Sequence, residues 1–585
     1  MRRSCLITLL LLLPLLLNGQ ESLRLPADRI GKPVLFGSRI VDVNRSWGKV
    51  FAPGQKNPDP VLMVFHQDPD GNVVLMPEEW HGHKHGGKKS KGRMQHVQPV
   101  HFPVLEKDAE GNLLLDISDY FSRYPEQVSA IPPKMLEKDR LEAGKILSTK
   151  ETSEYLQVTG LYHYASGLDV TAASYLLFLP EEPMKERERL DCFNVTEYRD
   201  PEGRRGVHSQ RWDLSRNPRI DFYVDKAFPA EWYPYIKEGL EDWNKAFEKA
   251  GLGKVIHVHP EDNSFDRCSP LANMVRYMDI EEANAKGDIL CDPRSGEILQ
   301  GDILWWKNVV KLISGWRYVQ TGASDPMARM KEYPIEMLGP MIRYSVCHEM
   351  GHVLGLNHNM GASWSYPTDS LHSPSFTSRY GTSASVMDYA RYNHIATADD
   401  VKAGVNLLPP RLGPFDFYAI ACGYGGMEIP EKTDYCYYAP FISAAISPDP
   451  SAQAESLGNN LLVSSKAGID NCRTLLMLDG LDQERLQLIR KQYYHYLWLA
   501  LSNIGGKVNG VNVPWEEQKS TLDFVAKSLD NVPPELEDPK RESRIWDELE
   551  GNFLPKRVSE SYGPKVLKKY SRKVKSLKKK YYSLN

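Results

Sequence analysis

Residues 348–358 of this 585-residue chain read HEMGHVLGLNH. On a helix, His348 and His352 stand four positions apart and project from one face, so their imidazoles can meet on a single metal ion. Glu349 sits one step round the helix, within reach of a metal-bound water. Gly355 is placed to end the helix and let the chain double back, which brings His358 in as a third nitrogen. Three protein nitrogens leave one position of a tetrahedral zinc open, the arrangement of a catalytic rather than a structural site. A lone histidine on an apolar helix is usually a packed side chain. The third histidine at its spacing, with the glycine between, is what points to a metal. Cys347 reads as a small core residue on the buried side of the helix.

Residues 385–389, Ser-Val-Met-Asp-Tyr, add to this, with Met387 29 positions after His358. The histidine helix followed by a methionine turn resembles the signature of the metzincin clan of zinc peptidases. The resemblance implies that Met387 forms a floor beneath the three histidines. Tyr389 is similar to the tyrosine that binds the metal or the transition-state oxygen in astacin-like and serralysin-like members, although an aromatic there is as easily a packing residue. Residues 412–425 resemble the helix that closes the clan's lower half, opened by an acidic residue and ended by Tyr-Gly. GKPVLFGSRI near the start, GLEDWNKAFEKAG at 239–251, DPRSGEILQGDI at 292–303 and GTSASVMDYAR at 381–391 resemble a family of secreted bacterial zinc-dependent metzincins with flanking domains. The likeness covers most of 30–520 and is densest between 215 and 425.

The elements around the motif read as follows. Strands are expected at 220–224, 255–259 and 274–280. Trp232, Ile236, Leu240, Trp243 and Phe247 recur at helical spacing before a C-capping Gly251. A turn at 292–296 leads into 297–306, and the histidine helix begins near Glu336 or Met341. This order matches the upper half of a metzincin domain, in which 297–306 is the expected rim strand for an extended substrate. His257 and His259 share a strand face, where packed or exposed side chains are a better account than a second zinc.

Upstream, 61–65 with 73–76, and 103–105 with 113–117, read as hairpins about Asp-Pro-Asp-Gly-Asn and Glu-Gly-Asn turns. The charged stretch 132–150 reads as helix or linker, and 155–179 as strands with turns near Gly160 and Gly167. His81, His83 and His85, followed by a lysine-rich run, read as a solvated loop in preference to a metal site. Downstream, helices dominate. Residues 564–580 hold nine Lys or Arg and no acid, with Leu567, Tyr570, Val574, Leu577 and Tyr581 on one stripe. That segment reads as a helix docked on its own protein or a frayed tail in preference to a basic amphipathic helix in weak contact with an anionic surface.

The fold class expected is therefore α+β: a metzincin-like catalytic domain at 213–425, a β-rich domain at 21–212 before it, and a mostly helical region at 426–585 after it. With 41% hydrophobic and 25% charged residues and a net charge of −4, the composition is that of a globular protein, and a nucleic-acid partner is not expected. Arg2 and Arg3, the apolar run 6–17 and Asn18-Gly19-Gln20 read as a secretory signal peptide over 1–20. No later run suffices for a transmembrane helix, so a secreted or periplasmic location is expected. Beyond Cys5, seven cysteines remain; Cys268 with Cys291, and Cys422 with Cys436, are pairs by sequence proximity. Asn44 and Asn194 begin glycosylation triplets. The function expected is an exported zinc endopeptidase acting on protein or peptide, with Glu349 as general base. The rivals are a secreted binding protein that keeps a zinc site and a zinc hydrolase of a non-peptide amide.

Overall fold

The computed structural model describes residues 21–44, 51–57, 60–78, 97–131, 139–185, 189–199, 204–425, 434–440 and 446–581. The segment 1–20, expected to be a signal peptide, and the histidines at 81–85 lie outside the described residues.

The N-terminal region is built on a seven-stranded antiparallel sheet and a three-stranded one. Both expected hairpins form, Val61–Gln67 with Val73–Pro77 and Val104–Lys107 with Leu113–Asp116. Their turns are set by aspartates that accept from the backbone two or four residues on: Asp68 Oδ1 takes the Asp70 and Asn72 N–H groups, and Asp108 Oδ1 that of Asn112. Two expectations are corrected. The stretch 132–150 runs into the edge strand of the large sheet, Leu141–Glu151; its charged residues face water there, which hid the strand. Gly160 is not a turn but lies inside Tyr155–Tyr164, where the Tyr162 ring covers the space a side chain would need.

The central sheet runs in the order Ile256–Pro260, Ile220–Val224, Met274–Met278, Ile298–Trp306, Ala285–Cys291. The first four strands are parallel and the last is antiparallel. The rim strand is thus Ala285–Cys291, not 297–306. Ile298–Trp306 is paired on both edges and mostly buried, which explains its strong apolar signal. The true edge, Ala-Lys-Gly-Asp-Ile-Leu-Cys, is half-exposed and carries no such pattern. The expected single helix over 232–247 is broken into Tyr233–Glu241 and Asn244–Lys249. At the break Trp243 is fully buried and donates its indole N–H to Cys347 O at 2.9 Å. These helices and Ile335–Val353 share one core with the sheet, including Phe222, Ile303, Val346, Met350 and Met387.

Both flanking regions are packed onto this core. From the N-terminal region, Arg39 and Lys56 reach Asp302 of the central strand at 3.2 and 3.4 Å, where Arg276 of the neighbouring strand also reaches it at 2.9 Å. Lys56 also bonds Gln300 at 2.6 Å and lies 3.5 Å from Asp288 on the rim strand. On the other side, Tyr318 and Val319 of helix Val309–Thr321 enter the core of the C-terminal helices. The basic helix Pro564–Tyr581 is docked there. Tyr570, Val574 and Leu577 are buried, and Lys573 and Lys578 pair with Asp523 and Glu550. Its apolar stripe is taken up by the protein itself, leaving the basic face outside. No described helix is long and apolar enough to cross a membrane. Neither suggested disulfide is present: Cys268 is not bonded to Cys291, nor Cys422 to Cys436.

Candidate active site

Helix Ile335–Val353 starts after Pro334 and ends in a glycine motif. Leu356 N–H bonds Gly351 O and Gly355 N–H bonds His352 O, both at 2.9 Å, a Schellman closure. Gly355 has φ of 87°, and a Cβ there would run into the carbonyl of Gln210. The exit is clamped by a segment that sequence reasoning passed over. Asn194 N–H donates to Gly355 O at 2.8 Å, its Nδ2 donates to Leu356 O at 3.2 Å, and Asn357 N–H donates to Cys192 O at 2.8 Å. The Asn194 amide is buried and engaged, so that triplet is not an open glycan acceptor.

This turn brings His358 back over the helix. Its Nε2 lies 3.1 Å from that of His352, and the ligand atoms of His348, His352 and His358 all fall within 4.8 Å of one another. His348 Nδ1 bonds Val386 O at 2.7 Å and His352 Nδ1 bonds Leu356 O at 2.9 Å. A carbonyl partner places the proton on Nδ1 and leaves the Nε2 lone pair free to coordinate. His348 Nε2 is buried with no hydrogen-bond partner, a costly state for a polar atom unless an ion completes it. Burial, and then the neighbouring His352, lower the His348 pKa to about 3, and His358 lies well below its ordinary value. The neutral imidazole is the form that binds a metal. Among the described residues this is the only such group of candidate ligands. His259 instead bonds Asp221 at 2.7 Å.

Glu349 is held by the rim strand: its Oε2 accepts Gly287 N–H at 2.7 Å. A Cβ on Gly287 would meet Glu349 O at 2.6 Å and His352 Cβ at 2.8 Å, so only glycine lets the strand lie this close to the helix. Burial pushes the Glu349 carboxyl up to about 7, against the opposing Gly287 N–H and Lys286 charge.

Met387 is buried, and its sulfur packs where a side chain on Gly351 would be. Its turn is fixed by Asp416 of helix Pro414–Tyr424, which accepts from Ser385 Oγ at 2.5 Å and from the Val386 and Gly413 N–H groups, each at 2.8 Å. Burial raises Asp416 to about 7, against these same bonds. Asp416 is the acidic residue expected to open this helix; that it braces the methionine turn was not legible. The Tyr389 ring centroid stands 4.6 Å from that of His358 and 5.3 Å from that of His348. Burial and the Glu349 charge raise its hydroxyl to about 12, with Arg391 acting the other way. Arg391, and Glu455 beyond it, are further neighbours the sequence did not single out.

No curated protein and no solved structure matches this chain. A family model described as Met-zincin matches residues 330–575, a span that takes in the histidine helix, the methionine turn and most of the C-terminal helices, and it supports a zinc metallopeptidase of the metzincin clan.

Proposed function

We propose that this chain is an exported zinc-dependent endopeptidase whose catalytic unit is 213–425. His348, His352 and His358 are the ligands and Glu349 is the general base. The observation that carries the reading is the buried, partnerless Nε2 of His348 facing two further imidazoles beside a carboxyl raised to about 7. A zinc ion bound there would supply Lewis acidity and lower the pKa of a bound water. Glu349 does the proton work. One carboxylate oxygen is anchored on Gly287 N–H, which leaves the other to take a proton from water and pass it to the leaving amine. A pKa near 7 suits both transfers at neutral pH.

The rim strand Ala285–Cys291 has one edge on Ile298–Trp306 and the other at the border of the sheet. An extended peptide adds to such an edge by main-chain hydrogen bonds, which favours protein or peptide as substrate. In this reading Met387 supports the ligand shelf from below and Tyr389 donates to the oxyanion, a role favoured by its ring standing 4.6 Å from that of His358. The exposed basic face of Pro564–Tyr581 is a site for weak contact with an anionic surface. The test is incubation of purified, zinc-loaded protein with a peptide library, read by mass spectrometry, beside Glu349→Gln. Cleavage at defined bonds by the wild type alone is expected; equal products from both would refute the assignment.

A further inference from the structure

Tyr389 is held from the C-terminal region. Glu455 donates its backbone N–H to Tyr389 O at 2.9 Å, and its carboxylate lies 2.8 Å from Arg391 Nε. The Arg391 guanidinium stacks on Trp316, 3.0 Å from the ring centroid, and lies 5.2 Å from the Tyr389 ring centroid. Arg391 and Glu455 both have left-handed backbones, with φ of 56° and 66°. A non-glycine residue stays in that region only when its surroundings over-determine it, and such residues gather at functional sites. Here two face each other across the seam between the methionine-turn segment and the C-terminal helices.

Glu455 is itself tied down. Gln492 of helix Gln483–Leu501 donates to its Oε2 at 2.9 Å and Gln320 at 3.4 Å, with His495 at 3.7 Å. Gln320 Oε1 also accepts the Tyr392 N–H at 3.0 Å. Burial alone would raise the Glu455 carboxyl, yet Arg391, with His495 and Gln492, brings it down to about 2. The Glu455 carboxyl is therefore held in its charged form beside the Arg391 guanidinium.

We propose that Glu455 and Arg391 are positioning residues for Tyr389, so that the C-terminal helical region is an integral part of the peptidase site. Glu455 holds the main chain at Tyr389 and fixes the Arg391 guanidinium between Trp316 and the tyrosine ring, which limits where the ring can go. The inference rests on the role proposed for Tyr389 at the oxyanion.

The test is a double-mutant cycle on the full-length, zinc-loaded protein: wild type, Tyr389→Phe, Glu455→Gln and the two together. Arg391→Lys, which keeps the charge and loses the planar stack, serves as a second probe. Tyr389→Phe is expected to lower kcat roughly 100-fold or more. Glu455→Gln and Arg391→Lys should each lower kcat about tenfold, with KM within about twofold and full zinc content, since what they disturb acts in the transition state. In the Tyr389→Phe background neither should cost anything further. Losses that repeat in full there would show that the pair acts by another route. A kcat within twofold of wild type for both single variants would overturn the proposal, and so would a silent Tyr389→Phe. If Glu455→Gln does not fold, Arg391→Lys carries the same comparison. Failure of the peptidase reading shows separately, as equal products from wild type and Glu349→Gln.

Discussion

Glu349→Gln should make the metal-free protein more stable and strip the zinc-loaded protein of most of its activity. The Glu349 carboxyl is raised from 4.5 to about 7 in the folded chain. Below pH 4.5 both folded and unfolded states hold the proton, and the residue has no effect on stability. Between 4.5 and 7 the unfolded chain has lost the proton while the folded one keeps it, so stability falls as pH rises. Above 7 the penalty is complete. A shift of about 2.5 units at 1.36 kcal/mol each is about 3 kcal/mol. Glutamine keeps the shape, and its Oε1 can still accept the Gly287 N–H, but it has no charge to bury. A change of 1 kcal/mol moves the Tm of a 150–250-residue domain by about 2–4 °C, so the variant should melt roughly 6–12 °C higher at pH 8 and close to wild type at pH 4. Peptide turnover should fall by about 10²–10⁴, the usual worth of a general base. The assay is calorimetry of chelator-treated wild type and variant at both pH values, beside turnover of the zinc-loaded forms. A variant that melts no higher than wild type at pH 8 would refute the claim that the fold stores this penalty at Glu349.

Three further outcomes are expected. His348→Ala, His352→Ala and His358→Ala should each lose stoichiometric zinc by elemental analysis, and retention in all three would remove the assignment. Tyr389→Phe should cost roughly 2.7–4 kcal/mol in kcat if the hydroxyl meets the oxyanion; kcat within about twofold of wild type would leave it as packing alone. Asp302→Ala strands the buried Arg39, Lys56 and Arg276 without their shared partner, and breaking such a pair costs about 3–5 kcal/mol. Calorimetry should show the transition of the catalytic core falling accordingly, and an unchanged profile would mean the cluster holds nothing together.

The three-histidine geometry was legible in the sequence because it is local. His348 and His352 share a face by helical period alone, and Gly355 at +87° is a backbone requirement that one residue type meets. The hairpins at 61–77 and 104–116 were legible for the same reason, since aspartate and glycine set each turn within five residues. The rim strand was not. Ala285–Cys291 is defined by its pairing with Ile298–Trp306 and by the nearness of Gly287 to Glu349, and neither leaves an apolar pattern behind. What clamps the site was hidden in the same way. Asn194 holds the turn before His358, Asp416 the turn at Met387, and Glu455 the chain at Tyr389, each across 30 to 162 residues of sequence. A polar side chain announces nothing about a partner that distant. The sequence by itself determined which groups can do chemistry, because coordination depends on residue type and short spacing. Only the tertiary structure decided what holds them in register, because burial and long-range hydrogen bonds exist only once the chain has folded.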